Sequence, residues 1–229
     1  MSWVSGFWRS SIGAKVTMAI TGVLLFAFVV VHLLGNLQLF LGPQAMADYA
    51  RFLHEREALL WVARIGLLAV FALHIATGLR LALQNRRARP VPYVREATVQ
   101  ATFASRSMVL SGVTLLAFVV YHLLHFTFGA VHGADHARRA LGFGGYDVHA
   151  MVTASFAHPA IAIAYAAAQL VLFLHLRHGL QSFAQTLGFN HGRWTPLVQL
   201  LSVWIAAVIA GLNVLLALSV QLRLIEPTG

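Results

Sequence analysis

The chain has no cysteine. That excludes disulfides, and it excludes any iron–sulfur cluster held by this chain alone, since such clusters are ligated by thiolates. Charge is scarce as well: only 10% of the 229 residues are Asp, Glu, Lys or Arg, against about 25% in soluble domains. From Val16 to Ala47, a stretch of 32 residues, there is none at all. All seven acids fall outside the long apolar runs, which argues against a proton relay or ion pump built on buried Asp or Glu. What fills the chain instead is apolar: 59% hydrophobic residues and a mean hydropathy of +0.75. This is the composition of an integral membrane protein, with its length used up by spans and no room for a separate soluble catalytic domain. The opening "MSWVSGFWRSSIGAKV" carries aromatics and two basic residues and leads into an apolar run longer than a signal-peptide core, so it does not read as a cleavable signal.

Runs of 18 or more apolar residues predict transmembrane helices over about 16–40, 107–130, 150–176 and 196–222. A fifth is expected at about 59–83, where Arg64 and Arg80 bound the charge-free part and can snorkel. The expectation is an all-α membrane protein of one transmembrane domain, residues 1–229. Between the spans lie a Pro-punctuated basic loop, "RRARPVPYVRE" (86–96), and a Gly-rich surface segment, "HGADHARRALGFGGYD" (132–147), whose GFGG is no nucleotide fingerprint.

Five spans put the termini on opposite sides. One side holds Arg9, Lys15, Arg80, Arg86, Arg87, Arg89, Arg95, Arg106, Arg177 and Arg193 against Glu96, a net +9; the other holds six arginines against six acids. The positive-inside rule makes the first side, with the N-terminus, cytoplasmic. The basic balance is thus an orientation signal rather than a sign of nucleic-acid binding, and it offers a basic face to an acidic partner.

The chain also repeats itself. "TGVLLFAFVVVHLL" (21–34) aligns without gaps on "SGVTLLAFVVYHLL" (111–124), with ten of fourteen positions identical and His32 opposite His122. "VFALHIATGL" (70–79) aligns on "VLFLHLRHGL" (171–180), pairing His74 with His175 and Gly78 with Gly179. This reads as two related helix hairpins followed by a fifth helix.

An ionisable side chain inside a span is expensive and is a functional hypothesis by default. Four histidines on four helices fall at two depths. His32 lies 17 residues beyond Lys15, about 25 Å along the axis, whereas His74 lies six residues from Arg80, roughly 9 Å. Zinc would want its ligands at one point. Two imidazoles from facing helices at one depth instead suit the two axial positions of haem iron, each donating its second nitrogen to a backbone carbonyl. Without a C-x-x-C-H sequence such haems are b-type. Gly22 and Gly112, ten residues before His32 and His122, come near the level of the inner pair, where a porphyrin can lie against the first and third helices. A lone intramembrane His is as readily a helix-bonding core residue. His125 and His178 are the alternative ligands in the next register, opposite Gly35 and Thr77 in the repeat. His54, His132, His136, His149, His158 and His191 lie in or beside loops and read as ordinary polar residues.

In "SSIGAKVTMAITG", "VVVHLLGNLQLFLG", "LLWVARIGLLAVFALHI", "SGVTLLAFVVYHLLHFTFG" and "LHLRHGLQSFAQTLG", the chain resembles the di-haem cytochrome b membrane anchor of succinate dehydrogenase (succinate:quinone oxidoreductase) and quinol:fumarate reductase, of the single-polypeptide five-helix type. The resemblance runs from about residue 8 to 215; the His-bearing segments carry it and the fifth helix is generic. It implies two non-covalent b haems, the proximal on His74 and His175 and the distal on His32 and His122. It implies quinone as substrate, a bacterial cytoplasmic membrane, and partner subunits on the cytoplasmic face: a flavoprotein with covalent FAD and an iron–sulfur protein. In some relatives a Glu near the start of the second helix is linked to quinol oxidation; Glu55 and Glu57 fall in that neighbourhood, where acids also favour a helix start, and a quinone site near the inner haem, beside the iron–sulfur subunit, is equally open. Other relatives carry a proton-carrying Glu two residues before the fourth ligand, and Phe173 stands there instead. Ser11, Lys15 and Arg106 can reach inner-haem propionates, or anchor at headgroups. Two other readings stay open: a haem b subunit of a hydrogenase, nitrate reductase or formate dehydrogenase, whose histidines would be distributed differently over the helices, and a haem-free anchor or transporter.

Overall fold

The computed structural model describes residues 6–7, 10–88, 102–140, 142–189 and 191–227. Among them the chain is helical, without strands, and five helices are long and apolar enough to cross a membrane. Of the charges in the orientation tally, Arg9, Arg89, Arg95 and Glu96 lie outside the described residues.

The first span is the helix Ser11–Asn36 with its 3-10 continuation Leu37–Leu41. Ser10 caps it, the side chain accepting the Gly13 N–H at 2.9 Å. Gly42, at φ 98°, turns the chain in a conformation that side chains with a Cβ resist. Pro43 then opens a surface helix, Pro43–His54. The second span, Glu57–Arg87, begins with an acid and ends with two arginines, both favourable to the helix dipole. The third, Met108–His122, finishes in a wider π turn, Leu123–Thr127.

The fourth span departs from expectation. The apolar run begins at 150, but the helix that crosses is Pro159–Thr186, and Val148–Phe156 is a separate short helix. Pro159 has no N–H to continue a helix and pushes His158 to extended backbone, φ −86° and ψ 112°. The short helix closes itself off: Asp147 caps its start by accepting from the Ala150 N–H, and Gln221 donates to the Phe156 and Ala157 carbonyls at its end. The crossing helix therefore runs some ten residues further toward the basic end than 150–176, and Arg177 lies inside it. The fifth span is Thr195–Leu218.

The first span packs on the second and the fourth; the third packs on the fourth and, more lightly, on the second. The first four spans thus form a ring, with first opposite third and second opposite fourth on the diagonals. The fifth lies against the fourth along its length and touches the first. Buried apolar side chains concentrate at the end of the bundle away from the basic loops. One cluster joins Leu33, Leu39, Met46, Ile209 and Leu216; another joins Phe156, Ile161, Ala162, Tyr165 and Ala217. The second span buries little more than Thr77 and turns a broad apolar face outward.

Candidate functional site

Each of the first four spans brings one of the repeat histidines into the ring, and the rings meet across its diagonals. His74 and His175 stand 6.5 Å apart between ring centroids, with an interplanar angle of 63°. His32 and His122 stand 5.7 Å apart at 90°. One metal ion ligated by a nitrogen from each ring at about 2 Å would separate the centroids by roughly 6 Å, so both spacings are in the range two axial imidazoles need.

The inner pair is built twice over by the repeat. Thr21 Oγ1 lies 3.1 Å from His74 Nδ1, and Ser111 Oγ lies 3.1 Å from His175 Nδ1. Thr21 and Ser111 are matched positions, the first of each copy. Each hydroxyl donates its own proton within its helix, Thr21 to the Thr17 carbonyl at 2.8 Å and Ser111 to the Met108 carbonyl at 3.1 Å. With that proton spent within its own helix, each oxygen can accept from an imidazole N–H, the arrangement in which Nδ1 carries the proton and the Nε2 lone pair of each histidine is left for a metal. The expected second partner was a backbone carbonyl; the structure supplies a hydroxyl from the adjacent span, because the neighbouring helix offers one at the level of each ring. Beside them, a Cβ on Gly22 would lie 3.5 Å from His74 Cε1, and one on Gly112 would lie 3.6 Å from His175 Cε1. The two glycines do reach the inner level, where they face the imidazoles themselves.

The outer pair has no such hydroxyls. His122 Nδ1 is buried without a hydrogen-bond partner, and a buried polar atom left so is costly. His32 stacks on Phe28 at 5.4 Å and is exposed. Around His122 gather Phe118, Phe126 and Tyr165, with ring centroids 5.6–6.0 Å away. The levels are set by the first span: Thr21 marks the inner pair and His32 follows eleven residues later, about 16 Å along the axis.

The donors thus come two at a time. Among the described residues no group of three or more His, Cys, Asp or Glu is placed to hold a metal ion. Such pairs suit axial ligation of a planar macrocycle rather than a closed four-ligand cage. The orphaned His122 nitrogen and the two hydroxyl-oriented imidazoles fit that use.

The remaining candidates fall elsewhere. His125 is almost fully buried and uses both nitrogens, Nδ1 with Tyr165 Oη at 2.9 Å and Nε2 with Ser155 Oγ at 3.1 Å. It ties the π turn to the fourth span and the Val148–Phe156 helix. His178 is half-buried on the face next to His175. His54 bonds the Ala50 carbonyl through Nδ1 at 2.8 Å and accepts from Arg139 at 3.1 Å. Glu55 and Glu57 are exposed, the first ending the surface helix and the second opening the second span. Counted from His74, Glu57 lies about 9 Å beyond the level of the outer pair. Ser11, Lys15 and Arg106 are exposed at the basic end.

Sequence reasoning missed Thr21 and Ser111. The signal was present: where the two repeats differ at their first residue, both residues carry a hydroxyl. No protein-family model, curated protein or solved structure matches the chain.

Proposed function

We propose that the protein is the membrane-anchor cytochrome b subunit of a succinate:quinone oxidoreductase, or of the related quinol:fumarate reductase. The observation that supports it is the pairing of one imidazole from each half of the chain, twice, across the diagonals of a four-helix ring. His74 and His175 would be the axial ligands of the proximal haem b, and His32 and His122 those of the distal one. Bound there, haem b supplies a one-electron ferric/ferrous couple. The chain's own work is to hold and orient. Thr21 and Ser111 keep the protons of His74 and His175 on Nδ1, so that Nε2 is presented with its lone pair. The apolar helices around each level would help set the potentials. Electrons would pass between an iron–sulfur subunit docked on the basic end and the quinone pool, with dicarboxylate chemistry at the FAD of a flavoprotein partner. The basic end would face the cytoplasm of a bacterium. Glu55 and Glu57 would serve quinone at the opposite end.

The test is spectroscopic. The purified chain, reduced with dithionite, is expected to show a b-type α-band and to titrate in two one-electron waves. Co-purification is expected to bring down a flavoprotein and a Cys-rich iron–sulfur protein. A folded preparation from its native membrane with no α-band overturns the proposal.

A further inference from the structure

A second site stands apart from the imidazole pairs. Between the fourth and fifth spans, at the basic end, lies a cleft of about 370 Å³ lined by Arg177, Gln181, Gln199, Thr102, Leu200 and Val203, with Pro196 at its edge. Arg177 is two residues from His175, about 200° around the helix, so it points away from the ring and toward the fifth span. Gln181, one turn on, shares its face. Arg177 is half-buried and makes no hydrogen bond or ion pair with any described residue. Six of the seven acids lie at the other end of the bundle, and the seventh, Glu96, is outside the described residues. The cleft therefore holds a cation, two amides and a hydroxyl, with no carboxylate among the described residues to balance them.

We propose that this cleft binds the phosphate headgroup of an anionic lipid. Arg177 lies 18 residues past Pro159, about 27 Å along the fourth span, near the roughly 30 Å thickness of a bilayer's hydrocarbon core. Gln199 is four residues into the fifth span. With Pro159 set at one edge of the hydrocarbon core, both come near the opposite edge, within a snorkelling guanidinium's reach of the lipid phosphates. Below them the fifth span continues with exposed Leu200, Leu201 and Trp204, a surface for acyl chains. Guanidinium with two amide donors suits a phosphate diester, and a basic pocket between spans is a known form of headgroup site. A zwitterionic headgroup brings a cation along with its phosphate and so offers no net charge to balance Arg177. The site does not depend on the haem reading.

The experiment uses the full chain in a neutral detergent, with phosphatidylglycerol or phosphatidylcholine added, read by native mass spectrometry of retained lipid and by thermal midpoint. Wild type is expected to retain phosphatidylglycerol preferentially and to be protected by it. Arg177→Gln is expected to weaken that retention about fivefold, Arg177→Lys to keep most of it, and Arg56→Gln, at the other end, to change nothing. Equal retention of both lipids by wild type overturns the proposal, as does an undiminished preference in Arg177→Gln. Protection by inorganic phosphate alone would make this a free-anion site, and retention of a protein rather than a lipid would make it a docking site; either also overturns it. So does a midpoint lowered by Arg177→Gln equally in phosphatidylcholine, which would mark a structural residue.

Discussion

At the level of His74 and His175 each imidazole meets a hydroxyl from a matched position of the repeat, at the same 3.1 Å. Eleven residues further along, the same two repeat copies bring His32 and His122 together with no hydroxyl hydrogen-bonded to either ring among the described residues, one histidine exposed and the other with an orphaned nitrogen. The copies then diverge outright. After His32 comes Gly35, whose missing side chain admits the Tyr49 ring from the surface helix; after His122 comes His125, bonded to Tyr165 and Ser155. Twofold similarity is kept where helix meets helix and lost where loops and short helices close the end of the bundle. An oriented donor needs one neighbouring residue at one depth, which a repeat copies automatically. The closing segments differ in length and sequence, so the outer level is finished differently in each half.

The sharpest way to break the comparison is to remove one imidazole per level. His175→Ala is expected to abolish one of the two b-type components and leave the other, and His122→Ala to abolish the other component, read from difference spectra and redox titration. If either variant removed both or neither, the levels would not be separate sites. The hydroxyls come next. Thr21→Val and Ser111→Ala are each expected to weaken haem retention about 10–100-fold at the inner level only, with a shifted potential for that component; an equal effect at the outer component would sink the orienting role. His125→Ala is expected to cost roughly 1–3 kcal/mol of stability, by leaving the buried Tyr165 hydroxyl without its partner, while Ser155 keeps the Met151 carbonyl and both spectral components survive. The smallest effects should differ in sign. Gly35→Ala places a Cβ 2.7 Å from Tyr49 Cε1 and should destabilise by about 1 kcal/mol. Gly22→Ala and Gly112→Ala meet only ordinary contacts at 3.5 and 3.6 Å and should be neutral or stabilise by up to about 1 kcal/mol through helix propensity. Thermal midpoints in one detergent would rank all three.

Much of this was readable before any coordinates. Long uncharged runs locate five spans because hydrocarbon leaves a backbone few options. The repeat pairs the four histidines because copies of a helix put matched residues at matched depths. The fourth span was misplaced because hydropathy sees "VTASFAHPAIAIA" as one run and does not weigh Pro159 against it. The helix Pro43–His54 was passed over for the opposite reason: its mixed Gln, Asp and Arg gave no span signal, although Gly42-Pro43 before it and Arg51 and His54 near its end mark a helix. Thr21 and Ser111 escaped because identity, rather than shared chemistry, was the measure of the match. The cleft at Arg177 depends on where the fourth span ends, and so was hidden by the error in its register.

Diagonal pairing has a consequence for how such a protein is assembled. Thr21 reaches His74 within the first hairpin, and Ser111 reaches His175 within the second. Each hairpin therefore aims its own inner imidazole as soon as its two helices meet. Yet each pair takes one ring from residues before the connection at 88–102 and one from residues after it, so neither half alone contains a complete pair. Two halves expressed as separate chains would each carry an oriented but single donor at the inner level. Two-point ligation would then report on their union in the membrane, and a bound group would act as the clasp that holds them together.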